Sequence, residues 1–87
     1  MDHNDLVELV ARDLTQSVTQ MLVEMGSEDG QRFAKEALVR FAQQALSGAP
    51  RVGSMNISTF TDGERHALAQ ASAIVLATIQ ADASRPQ

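Results

Sequence analysis

The side chains that most often carry enzyme chemistry are sparse in this sequence of 87 residues, which has two histidines and no cysteine. His66 follows Asp62 by four residues, a spacing that places both on one face of a helix, where they could bind a metal ion or relay a proton. The same pair is explained more simply as two exposed polar residues at the beginning of a helix. His3 stands near the N-terminus between Asp2 and Asp5. We therefore predict no catalytic residue, no metal site and no cofactor.

Sequence motifs that position nucleophiles or phosphate groups are also missing. The serines do not occur in the Gly-x-Ser-x-Gly pattern that places a nucleophile on a sharp turn. Neither the P-loop pattern nor the Gly-x-Gly-x-x-Gly pattern of dinucleotide sites is present. The sequence therefore predicts a protein that is not an enzyme.

A small anionic ligand is an alternative suggested by the segment 48–54, which reads GAPRVGS. Its glycines can expose backbone N–H groups, and Arg51 and Ser54 add a positive charge and a hydroxyl, which together are the components of an anion nest. The start of a helix just beyond offers further free amides, although Asp62 and Glu64 would repel a phosphate there. The alternative function is thus an oligomeric binder of a ligand such as a nucleotide through the loop 48–61.

Three helices are predicted from apolar spacing and helix punctuation. The first covers 5–25 and ends at Gly26, and the second covers 28–47 and ends before Gly48 and Pro50. The third covers 62–82, with a frayed tail at 83–87. Their predicted buried positions recur every three or four residues. In the first two helices these positions are Val7, Ala11, Leu14, Val18, Met21 and Met25, then Phe33, Ala34, Ala37, Leu38, Phe41, Ala42 and Ala45.

The connection between the first two helices is about two residues long, which predicts an antiparallel helical hairpin. The longer loop 48–61 contains Val52, Met55, Ile57 and Phe60, too many apolar groups for a freely solvated linker. We expect this loop to pack back on the helices, with a short extended piece inside it. The sequence Thr61-Asp62-Gly63-Glu64 then matches the capping box that begins a helix. The predicted fold is a single all-α domain, 1–87, formed by a three-helix bundle.

The third helix is alanine-rich and carries no charge from Ala67 to Ala81. A helix that is apolar on nearly all sides is normally buried on nearly all sides. A helix in a three-helix monomer, by contrast, has one face exposed to solvent. We therefore expect a second copy of the chain to cover it, most simply in a dimer. The alternative is a monomer in which this helix is central and the long loop folds over it. The residues predicted for this oligomer interface are Leu68, Ala71, Val75, Leu76 and Ile79.

Charge and composition narrow the classes of partner. The net charge is −4, and the seven basic residues are dispersed along the chain, so a concentrated surface for nucleic acid is not expected. No stretch suits a membrane span, and the acidic start resembles no targeting peptide. We predict a cytoplasmic, non-catalytic interaction or regulatory protein that binds an unidentified protein partner through a helical surface. A helical DNA-binding regulator is a further, weaker alternative.

Overall fold

The computed structural model describes residues 2–84 and confirms the all-α three-helix bundle. All three helices pack against one another, and a small antiparallel hairpin lies between the second and the third. In chain order the elements are α1 (His3–Met25), α2 (Ser27–Leu46), β1 (Arg51–Val52), β2 (Met55–Asn56) and α3 (Asp62–Ser84). The third helix thus extends two residues beyond its predicted end, and the rest of the predicted tail, 85–87, lies outside the described residues.

A single glycine joins α1 to α2. Gly26 has a φ of 89°, which residues with a Cβ rarely adopt, and its N–H donates to the Leu22 carbonyl over 3.0 Å to close α1. Its own carbonyl accepts from the Gly30 N–H at 2.8 Å, so α2 begins at once. Gly26 therefore stands in the N-cap position of α2, and Ser27 is already helical.

A second glycine sets the distance between these two helices. Gly30 is buried, and a Cβ built on it would lie 2.9 Å from the Leu22 Cα and 3.0 Å from the Met21 carbonyl oxygen. Real Cβ atoms hardly ever come so close to backbone. The missing side chain therefore allows the backbones of α1 and α2 to touch at this point.

The loop between α2 and α3 packs on the helices, as its apolar residues predicted. Val52 and Ile57 are buried in the core, and the Ile57 N–H donates to the Pro50 carbonyl over 2.9 Å. Within the loop, β1 pairs with β2, with Arg51 opposite Asn56 and Val52 opposite Met55. The predicted extended piece is thus one strand of a complete, very short hairpin.

The core has two clusters of buried side chains, and α3 contributes to both. The cluster nearer the hairpin contains Val7, Val10, Ala45, Val52, Ile57, Ala67, Leu68 and Ala71. The other contains Val18, Ala34, Leu38, Val75 and Ile79. Between them the buried Ser72 hydroxyl donates to the Leu38 carbonyl over 2.6 Å, which satisfies its polar group inside the core.

Two sets of hydrogen bonds hold the start of α3 in place. The capping box is formed as predicted: the Glu64 N–H donates to the Thr61 hydroxyl (3.1 Å), and the Thr61 N–H donates to the Glu64 carboxylate (2.9 Å). Arg65, which the sequence did not single out, donates to the Ala45 carbonyl (3.2 Å) and to the Ile57 carbonyl (3.0 Å). One guanidinium therefore joins the end of α2, the loop and α3.

The capping box makes stability depend on acidity in a predictable direction. The hydrogen bond from the Thr61 backbone N–H, followed by the Thr61 side chain, holds the pKa of the Glu64 carboxyl below its usual value of 4.5. The native state therefore binds this proton less readily than the unfolded chain, so the stabilisation is present above pH 4.5 and disappears as the pH falls through the lowered pKa.

A Glu64→Gln variant should isolate the contribution of Glu64 to the pH dependence of stability from the contributions of the other carboxylates. Glutamine keeps the geometry of the cap but has no group that titrates. Chemical denaturation of both proteins across acidic pH checks it. The wild-type protein should lose its advantage over the variant on acidification, and a constant difference between the two would contradict the assignment.

Candidate functional site

The residues considered for catalysis or metal binding have structural contacts. The His66 Nδ1 atom lies 2.7 Å from the Asp62 backbone carbonyl oxygen, so its ring contacts the helix turn. The His3 Nε2 atom lies 2.8 Å from the Gln70 Oε1 atom and links α1 to α3. Within residues 2–84 no group of three or more His, Asp or Glu side chains could hold a metal ion.

The predicted anion-binding residues lie on the outer side of the hairpin. Arg51 and Ser54 are both exposed, and Arg51 pairs with Asn56 across the two strands. The helix start that was expected to supply free amides is already occupied by the capping box, whose Glu64 carboxylate accepts from the Thr61 N–H. The structure therefore gives a phosphate group no favourable charge at this helix end.

The residues predicted for the oligomer interface lie inside one chain instead. Leu68 and Ala71 have no exposed surface, Val75 and Ile79 are also buried, and Leu76 packs against the second core cluster while half-buried. Their apolar surface is covered by α1 and α2, because α3 contacts both helices along its length. The outward face of α3 consists mainly of small residues, with Ala73, Ala77 and Ile74 exposed.

An apolar groove runs between α1 and α2. It has a volume of about 300 Å³. Its walls are largely side chains that were predicted to be core, of which Val18 and Leu38 are buried and the others are half-buried. They are Leu14, Val18 and Met21 from α1 and Ala37, Leu38 and Phe41 from α2. Ser17, Ala34 and Gly53 complete the lining.

The groove continues towards the hairpin. A neighbouring depression of about 190 Å³ shares Ala37, Phe41 and Gly53 with it and is also lined by Arg40, Gln44 and Val52. The two depressions together form a trough that runs along α2 to the hairpin turn. We refer to this trough, with the α1 residues that face it, as the α1–α2 groove.

Two large side chains predicted as core border the groove and are exposed. Phe33 is 50% exposed and stands four residues before Ala37, so it lies on the same side of α2. Met25 is 44% exposed and stands four residues after Met21 on α1. The prediction that these two are buried was wrong, because no third element within residues 2–84 covers this side of the helix pair.

The two edges of the groove differ in charge. On α1, Ser17 lies in the groove, and Asp13 and Glu24 share its edge at helical spacing. On α2 the corresponding edge carries Phe33 and Arg40. Asp29 precedes Arg40 by eleven residues, or about three helical turns, so it lies on the same edge of α2. The apolar floor is therefore bordered by carboxylates on the α1 side and by charges of both signs on the α2 side.

The sequence contained a signal for this surface. The apolar arc of α2 extends from Ala45 and Leu38 through Phe41 to Phe33, which is wider than contacts with α1 and α3 require. This width leaves Phe33 outside the contacts with α1 and α3, where it is 50% exposed. The extra apolar surface was expected on α3, because its small uncharged residues predicted a helix buried on all sides, whereas its outer face is exposed.

The chain matches no protein-family model, no curated protein and no solved structure. Among the described residues, no helix combines the length and apolar character needed to cross a bilayer. The fold and its groove thus define a helical bundle with an open apolar surface, and any function is inferred from that surface.

Proposed function

We propose that this chain is a small, non-catalytic interaction protein whose α1–α2 groove receives the apolar face of a helix from another protein chain. The observation that carries the proposal is the groove itself, an apolar trough of about 300 Å³ in a chain of 9.4 kDa. Such a surface is costly to leave in water, and contiguous exposed apolar surface of this kind commonly marks an interaction site.

The shape and lining of the groove suit a helix. Two antiparallel helices with a trough between them accept a third helix through side chains spaced three or four residues apart. Ala37 leaves room in the floor, and Phe33, Phe41 and Met21 can close around an inserted side chain. Methionine is unbranched and polarisable, so it adapts to the shape of what it contacts.

We propose a regulatory or adaptor role on the same ground, because a chain that acts through this groove acts through the protein that it binds. The cytoplasm is the compartment that we propose for this action. Under this proposal, any regulation would depend on whether the groove is occupied by a partner helix.

Site-specific photocross-linking tests the proposed function. A benzoyl-phenylalanine at position 33, on the edge of the groove, should give one discrete protein adduct in the native cell or in concentrated pure protein. The same group at position 74, where Ile74 is 46% exposed on α3, is the matched control. Equal or absent adducts at the two positions would contradict the proposal, and mass spectrometry of the adduct identifies the occupant.

A further inference from the structure

We propose that the α1–α2 groove is a redox-sensitive site, which closes to its partner when a peroxide oxidises Met21 and Met25 to methionine sulfoxide. This inference rests on the proposed function and adds a form of regulation to the same site. It does not depend on which protein chain supplies the helix that the groove receives.

The sulfur atoms of this chain are all thioethers, since the sequence has four methionines and no cysteine. Met21 lies in the wall of the groove, and Met25 follows it on α1 by about one helical turn. An oxidant reacts faster with a sulfur atom that solvent can reach. Because Met25 is 44% exposed and Met21 is half-buried, we expect Met25 to react first and Met21 second.

Met55 provides a comparison within the same chain. It is half-buried like Met21, but it lies in β2 and packs against the core cluster nearer the hairpin. It is not among the residues that line the groove. Oxidation of Met55 therefore leaves the groove apolar, and the comparison separates an effect at the groove from general oxidative damage.

The chemical step transfers one oxygen atom. A lone pair of the thioether sulfur attacks one oxygen of hydrogen peroxide, so that a sulfur–oxygen bond forms and the oxygen–oxygen bond breaks. The departing hydroxide takes the proton of the transferred oxygen and leaves as water, and the sulfur is oxidised by the two electrons that reduce the peroxide. A sulfoxide reductase reverses the change with two thiols, which become a disulfide as water is released.

The sulfoxide changes the groove in two ways. Its oxygen is a strong hydrogen-bond acceptor, and covering that oxygen with the apolar face of a partner helix removes its water without supplying a donor. Met21 also packs against the core cluster that contains Val18 and Leu38. A side chain enlarged by an oxygen atom and made polar fits this apolar wall less well. Both changes weaken the binding of an apolar helix.

Cross-linking before and after oxidation tests the inference. The chain with a benzoyl-phenylalanine at position 33 is treated with hydrogen peroxide, freed of peroxide and cross-linked in an extract of the native cell. We expect the yield of the adduct to fall by at least about tenfold. Treatment of the oxidised chain with methionine sulfoxide reductase and a thiol should restore the yield.

Leucine variants identify the sulfur atoms that are responsible. Met21→Leu combined with Met25→Leu removes both sulfur atoms from the groove and nearly conserves side-chain volume, a change that cores tolerate well. This double variant should keep its adduct after peroxide treatment. Met55→Leu is the matched control, and its adduct should be lost on oxidation as in the wild-type protein.

Two further measurements make the outcome decisive. Mass spectrometry gives the extent of oxidation at each methionine, and circular dichroism gives the helix content. Oxidation of Met55 ahead of Met25, unfolding of the helices together with loss of the adduct, an unchanged adduct after oxidation, or equal loss in the double variant would overturn the inference. The proposed function survives each of these results, whereas the lack of any adduct before oxidation would remove both.

Discussion

A Leu68→Ala variant is expected to lose about 2–5 kcal/mol of the free energy of unfolding. Leu68 has no exposed surface and lies in the cluster where α3 meets α1, the end of α2 and the hairpin. Removing its side chain leaves a cavity that the surrounding helices can fill only in part. For a domain of this size such a loss is a large share of the total stability, so the variant should unfold at a much lower urea concentration.

Leu9→Ala is the control for this substitution, since Leu9 is 45% exposed on α1. It should change the free energy of unfolding by no more than about 0.5 kcal/mol. Because Leu68 is buried within one chain, its effect should be the same at low and high protein concentration. A loss of unfolding free energy that increases with protein concentration would mean that Leu68 lies in an interface between chains. That result would contradict the fold.

A Gly30→Ala variant is expected to be less stable than the wild-type protein by about 1–3 kcal/mol. The added Cβ would lie 2.9 Å from the Leu22 Cα, and backbone cannot move aside as a flexible side chain can. The helices must separate at this point, which also alters the width of the groove beside it. The clash opposes the gain of about 1 kcal/mol that alanine normally brings to a helix.

Gly63→Ala is the matched substitution in α3. Its Cβ would meet only the Thr61 hydroxyl oxygen at 3.8 Å, an ordinary contact, and its backbone is helical. This variant should be as stable as the wild-type protein or more stable by up to about 1 kcal/mol. Thermal denaturation of both variants checks the pair, and equal stability would mean that the close approach of α1 and α2 does not depend on Gly30.

The sequence predicted the three helices, the antiparallel pair and the packed loop because each depends on local features. Gly26 permits a positive φ, and Thr61 forms a capping box with Glu64, which is only three positions further along the chain. The contacts of Arg65 depend instead on distant segments, since Ala45 and Ile57 come near it only after the bundle has formed. No local pattern distinguishes that arginine from the others.

The site was harder to predict because burial was judged one helix at a time. The apolar residues of α3 were assigned to an interface, although two neighbouring helices already cover Leu68, Val75 and Ile79. The partly exposed residues of the groove were assigned to the core because Phe33 and Met25 follow the same spacing as buried positions. Spacing identifies the apolar side of a helix, but only the packed structure shows how much of that side the chain itself covers.

The central proposal is that the α1–α2 groove receives a helix of another protein chain, and cross-linking from position 33 compared with position 74 tests it most directly. We predict a discrete protein adduct from a benzoyl-phenylalanine at position 33, on the edge of the groove, and none from position 74, where Ile74 is 46% exposed on α3. Equal yields from the two positions, or no adduct from either, would contradict the proposal.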